Sequence, residues 1–149
     1  LDVHLGKLAT FLRMLGCDAS HAPSWTDEQL VRISLEEHRV LLSKDRALLR
    51  DRRLERAYAV TADDPAAQLL EVVKRFDLGG TVQPLTRCLR CNTVLIPIDK
   101  DAVLDRIPQL VRERCNRFTT CPECHRVFWE GTHFEKMKAF AARVLQDAL

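Results

Sequence analysis

The chain has 149 residues, 46% hydrophobic and 30% charged, with a formal charge of +2. That length suffices for one ordinary domain or two small ones, and no apolar run approaches the ~18 residues of a membrane span. The near-neutral balance excludes a whole-domain basic field for nucleic acid: residues 1–80 hold 12 Lys/Arg against 13 Asp/Glu, and residues 81–149 hold 11 against 8. A nucleic-acid partner must therefore be held by local clusters, such as Arg46, Arg50, Arg52, Arg53 and Arg56, or Arg106, Arg112, Arg114 and Arg117, each of which also reads as a solvated helix face.

Leu1-Asp2-Val3 reads like the tail of a strand, so the chain is expected to begin inside a longer polypeptide. Leu5, Leu8, Ala9, Leu12 and Leu15 recur at helical spacing and Gly16 stands at a C′ position, predicting a helix over 4–15. A second helix starts at the capping box Thr26-x-x-Gln29 and runs to about Glu37. Val40–Ser43 is a short apolar run, read as a buried parallel strand, with Asp45 just after it and a basic helix predicted over 46–55. Tyr58–Thr61 repeats the strand pattern, and Asp63-Asp64-Pro65 places an acidic cap and an N1 proline before a helix carrying Leu69, Leu70, Val72, Val73 and Phe76. Strands alternating with helices predict βαβ units in a three-layer α/β domain with a parallel sheet. After a boundary near 77–86, Val94–Ile98 and Val127–Trp129 read as strands. Asp101–Arg114 reads as a helical stretch interrupted at Pro108, and a last helix is predicted over 134–145.

Two C-x-x-C pairs, Cys88/Cys91 and Cys121/Cys124, are the most specific chemical signal. Such turns present four thiolates to one cation, the pattern of a structural zinc site, and four protein ligands leave no open position for substrate. The 29 residues between the pairs exceed the common ~15–20-residue template, but loop-closure entropy grows slowly with length, so a helical insert is tolerable. Cys17 and Cys115 are left over. Reduced thiols on metal fit a cytoplasmic compartment.

Catalysis is then sought in the first half, where ligands collect at the carboxyl ends of parallel strands. Asp2, Asp45 and Asp63 occupy such places, and Asp27 or Glu28 joins from a helix start. Converging carboxylates repel one another unless a divalent cation neutralises them, and hard oxygen ligands select Mg²⁺ or Mn²⁺. Capping also accounts for acids in these places, most readily for Asp63 and Asp64.

Leu1–Ala9 (LDVHLGKLA), Phe11–Gly16 (FLRMLG), Leu41–Arg46 (LLSKDR) and Cys121-Pro122-Glu123-Cys124 with Trp129–His133 (WEGTH) together resemble the PIN-like ribonuclease domain named after the carboxy-terminal part of the Mut-seven exonuclease, over nearly the whole chain. The resemblance implies a PIN-like nuclease core over 1–80, then a zinc ribbon with helical insert and C-terminal helix over 81–149, and RNA as substrate. It implies catalytic Asp2, Asp27 and Asp45 holding Mg²⁺ or Mn²⁺, with Asp63 or Asp64 as a fourth acid. Lys7, Arg13 and Arg46 are implied to bind phosphate, Arg13 alternatively bracing a carboxylate, and Cys88, Cys91, Cys121 and Cys124 to hold zinc. It also implies that a ubiquitin-like module can lie upstream. His125 departs from the glycine usual in such knuckles, and Cys17 from an aromatic or aliphatic residue.

His133 either lines an RNA path or caps the last helix. Of Phe128 and Trp129, one ring is expected in the ribbon core while the other could stack on a base, core packing being the first expectation for either. Besides the metal-dependent ribonuclease, a non-catalytic RNA- or ribosome-binding adaptor is compatible with the residues, as is an electron carrier with iron on the cysteines.

Overall fold

In the computed structural model, which describes residues 1–149, the first helix follows from leucine spacing. Leu5, Leu8, Leu12 and Leu15 form one apolar stripe along α1 (Gly6–Met14) and its flanks, all at most 4% exposed. Burying each contributes roughly 2 kcal/mol of transfer free energy. A single 3-10 turn, Val3–Leu5, leads into the helix, and Gly16 ends it at φ +86°, in the left-handed region that favours glycine. Asp2 N–H donates to the Leu42 carbonyl at 3.0 Å, so the first residues run beside the next strand.

The second helix, α2 (Asp27–Glu36), starts on the predicted capping box: Gln29 N–H donates to Thr26 Oγ1, and Thr26 N–H to Gln29 Oε1. Its Leu30 and Val31 pack with Leu41 and Leu48 in a small core of their own. Strand β1 (Leu41–Ser43), buried throughout, pairs in parallel with β2 (Ala57–Ala59), Leu42 facing Tyr58. Between them the predicted helix over 46–55 is absent. Only Leu48–Arg50 makes one 3-10 turn, because six of those ten residues are charged and Leu48, Leu49 and Leu54 are too few to give a helix a buried face. Helix α3 (Pro65–Arg75) begins as predicted, with Asp64 accepting from Ala66 and Ala67 N–H and Pro65 in the first turn.

Beyond residue 81 lies an antiparallel sheet in the order β3 (Ile96–Ile98), β4 (Phe118–Thr120), β5 (Val127–Trp129), with Ile98, Phe118 and Trp129 in line across it. Strand β4 was not predicted. A single apolar residue among threonines carries no periodicity, and it is pairing on both sides that makes it a strand. The stretch before it splits at Pro108 into a 3-10 segment, Lys100–Arg106, and α4 (Gln109–Arg114). Val103, Ile107, Cys115 and Phe118 form its core. Helix α5 (Thr132–Ala148) then returns to pack on α3. Its Ala141 and Val144 join Leu5, Leu8, Leu12, Leu69 and Val73 in the main core, and the Phe140 ring lies 5.1 Å from that of Phe11. No helix is long and apolar enough to cross a membrane.

The end of α1 and the first cysteine turn are tied together by hydrogen bonds. Arg13, 6% exposed, donates from Nε to the Ala19 carbonyl at 2.8 Å and from Nη1 to the Leu89 and Arg90 carbonyls, each at 3.0 Å. Arg13, expected to hold phosphate or to brace a carboxylate, thus has its Nε and Nη1 donors engaged on backbone carbonyls. Asn92 accepts from Ala19 N–H at 2.9 Å and donates to Asp18, Arg87 donates to the Gly16 carbonyl, and Gln83 and Leu85 N–H reach the Leu15 and Met14 carbonyls.

A Cβ at Gly16 would overlap the Gln83 carbonyl oxygen at a backbone conformation L residues avoid. Gly16→Ala is expected to lower stability by about 2 kcal/mol or more, measured by urea unfolding; an unchanged midpoint would show that this joint yields freely.

Candidate functional site

The two C-x-x-C turns fold alike. In each, the first cysteine accepts at its carbonyl from the N–H four residues on (Asn92 to Cys88, 2.9 Å; His125 to Cys121, 2.8 Å). Each also donates its own N–H to the carbonyl five residues on (Thr93, 2.8 Å; Arg126, 3.0 Å). That closure puts the residue after the second cysteine at positive φ, +69° for Asn92 and +58° for His125, which explains why glycine is the usual occupant. Asn tolerates the conformation well and here also bonds Ala19 and Asp18, while the His125 carbonyl accepts from Arg106. The two closures bring the four sulfur atoms within 4.8 Å of one another, a set that can hold zinc. Crowding opposes joint ionisation of the bare thiols: burial first, then Cys124 and Cys88, push Cys91 up to about 12. A cation among them removes that conflict. Cys115 stands apart in the ribbon core.

The acidic residues are distributed differently. Asp2, 4% exposed, caps the turn before α1 by accepting from His4 N–H at 2.8 Å, while its other oxygen accepts from the Ser43 hydroxyl and from Lys44 N–H at 3.1 Å. Ser43 Oγ in turn accepts from Asp45 N–H at 2.8 Å. The Asp2 N–H bond to the Leu42 carbonyl thus sets Asp2 beside Asp45's backbone through one buried hydroxyl. Asp45 is exposed, and its Oδ1 accepts from Ala47 and Leu48 N–H.

Lys44 reaches across to the Ala62 carbonyl and pairs with Asp63, holding that carboxyl below its ordinary value. Asp64 is spent on capping α3. On α2, Glu28 is taken by a two-pronged pair with Arg53 at 2.7 and 2.8 Å, which also binds Asp51, leaving Asp27 exposed and outside any ion pair. Lys7 and Arg46 are exposed. The acids do not form a tight cage: the cysteine quartet is the one group of three or more ligating side chains lying within 4.8 Å. Mg²⁺ suits a loose set, since it keeps several waters and takes one or two carboxylates with substrate phosphate.

Sequence reasoning passed over three residues here. Lys44, between Ser43 and Asp45, is legible in hindsight as a cation at a strand end. His21 lies against Gly6, 3.2 Å from where a Cβ would stand, and its Nε2 is 3.3 Å from the Val3 carbonyl, beside Asp2's turn. Glu71, the charged residue within the Leu69–Val73 run, accepts from Tyr58 and Thr61 hydroxyls and from Thr61 and Ala62 N–H at 2.9 to 3.1 Å, fixing the segment that carries Asp63.

Burial alone would raise the Glu71 carboxyl, but the donors from Ala62, Thr61 and Tyr58 outweigh it and hold it below the ordinary carboxylate value. Its stabilisation is therefore present above that ordinary value, near pH 4.5, and lost as pH falls through the lower folded one. Glu71→Gln is expected to cost about 2 kcal/mol at pH 7 and to flatten the acid limb of stability against pH. Thermal unfolding from pH 7 to 3 measures both, and parallel curves for the two proteins would refute the assignment.

Comparison with curated proteins and with solved structures finds no match. The family model described as the Mut7-C RNAse domain matches residues 1–141. The motif order that suggested the family, the quartet of cysteines and the Asp2 to Asp45 linkage lie within that match, and the chain belongs to the Mut7-C RNAse domain family.

Proposed function

We propose that the chain is a ribonuclease that hydrolyses RNA phosphodiesters with a divalent metal, on a PIN-like three-layer core, and that zinc on Cys88, Cys91, Cys121 and Cys124 supports a ribbon that helps bind the RNA. One observation carries the reading: a buried carboxylate, Asp2, joined through the Ser43 hydroxyl to the strand end that presents Asp45, in a chain of an RNase domain family. Asp2 keeps lone-pair capacity beyond its three donors, and Asp45 keeps its Oδ2, so both can face a hard cation. Asp27 completes the set from the first turn of α2, and Asp63, held by Lys44, is the fourth acid. Bound Mg²⁺ or Mn²⁺ would supply water activation and charge stabilisation for in-line attack on phosphorus.

Around that place the chain's own residues orient and neutralise. Lys7 and Arg46, both exposed, would bind substrate phosphate, with Arg50, Arg52 and Arg56 along the same exposed segment as Arg46. Lys44 donates its backbone N–H to Asp2 while the Ala62 carbonyl and Asp63 hold its ammonium, so its charge stays beside Asp63.

Wild type is expected to cleave single-stranded RNA only with Mg²⁺ or Mn²⁺ added, and Asp45→Asn to lose about 100-fold or more, followed on a panel of labelled RNAs. Absence of wild-type cleavage with either metal would remove the enzyme reading for those RNAs and favour a binding adaptor. Equal rates for the variant would remove Asp45.

For the ribbon, purified protein is expected to be colourless with about one zinc per chain. Cys121→Ser is expected to lose the metal and the near-ultraviolet signal of Trp129. Elemental analysis and circular dichroism read both, and a red sample containing iron would overturn the zinc assignment.

A further inference from the structure

Between the ribbon and the start of α5 lies a cleft of about 480 Å³ that plays no part in the acidic site. Phe128 of β5, Phe134 and Met137 of α5 and Leu95 form its apolar wall, with Arg117 and His133 exposed at its rim. Trp129 borders the cleft as well but packs on the ribbon core and lies over Gly131, whereas Phe128, like Phe134 and Met137, is half-buried yet belongs to none of the three cores. Large apolar side chains that neither join a core nor scatter singly, but converge on one concavity, mark a binding site.

We propose that this cleft seats an unpaired nucleobase of single-stranded RNA, a reading that rests on the ribonuclease function for its ligand. Two aromatic rings and a thioether offer stacking surface to any base, and the volume falls in the range of small-molecule sites, roughly 300–1,000 Å³. Charge favours a polyanion over an apolar peptide. Arg117 and His133 engage no other side chain, Arg87 turns inward to the Gly16 and Asn92 carbonyls, and Glu130 is the one acid on the lining. A duplex keeps its bases stacked on one another and cannot enter, so the cleft selects single strands.

Fluorescence anisotropy of the zinc-loaded chain, without added Mg²⁺ or Mn²⁺, tests this with a labelled 12-mer RNA, the same strand with abasic sugars at its centre, and its duplex. Wild type is expected to bind the abasic strand and the duplex about ten-fold more weakly than the intact strand. Phe128→Ala is expected to bind the intact strand about ten-fold more weakly and to show no further loss on the abasic one. Phe128→Trp restores binding, and Phe128→Leu, which keeps the apolar volume, does not. Zinc content and thermal unfolding establish that each variant is folded.

Equal affinities of wild type for intact and abasic strands overturn the proposal. So does Phe128→Leu binding as well as wild type, or a change of oligomeric state in Phe128→Ala with RNA affinity intact, which would make a second copy the occupant. Cleavage that persists with unaltered binding by the Phe128 variants removes the cleft and leaves the nuclease. Base-dependent binding without cleavage supports the cleft and removes the nuclease.

Discussion

A guanidinium buried to 6% exposure has to be met by acceptors wherever it goes, and in this fold Arg13 is met from both halves of the chain. One carbonyl comes from the loop after α1 and two from the Cys88–Cys91 turn. Stranding a buried charge costs about 3–5 kcal/mol, so neither half can move without breaking that arrangement. Burial pulls the Arg13 guanidinium below its ordinary value, while Cys88, Cys91 and Asp18 pull it back. Two of those three groups are thiols of the quartet that can hold a metal, so Arg13 braces the cysteine turn as well as the helix.

Helix α1 spans nine residues, about 14 Å at 1.5 Å per residue. Its C-terminal end holds the cysteine turn, and its N-terminal end follows directly from Asp2 and carries Lys7. One element therefore separates the closed sulfur quartet from the Asp2 turn. Arg39 adds a surface link at the same joint, pairing with Asp18, whose carboxyl it and Asn92 hold below the ordinary value against the upward pull of burial.

Much of this was legible because the signals were local. The Thr26/Gln29 box, the Asp64-Pro65 start and the leucine stripe of α1 each depend on residues a few positions apart, and each stands where the spacing put it. The cysteine quartet was equally plain, two short motifs with one chemical purpose. What escaped depends on partners distant in sequence. Strand β4 exists through pairing on both sides, and Glu71 matters because a loop ten residues upstream folds onto it. Arg13 lies in a motif read for phosphate or carboxylate, whereas its Nη1 meets the carbonyls of Leu89 and Arg90, far along the chain. The helix predicted over 46–55 failed for the opposite reason: its charged residues have helical propensity but no apolar face to bury.

Helix α5 leaves the ribbon and returns to the main core, so residues 82–131 form an excursion pinned at both ends, by Gln83 and Leu85 on α1 at one and by α5 at the other. The entropy of a closed loop rises only with the logarithm of its length, so the part of this excursion beyond the Arg87–Asn92 contacts with Arg13, Gly16 and Ala19 can vary in length while the core beneath it stays closed. The main core beneath it, built from α1, α3 and α5, is held by its own packing.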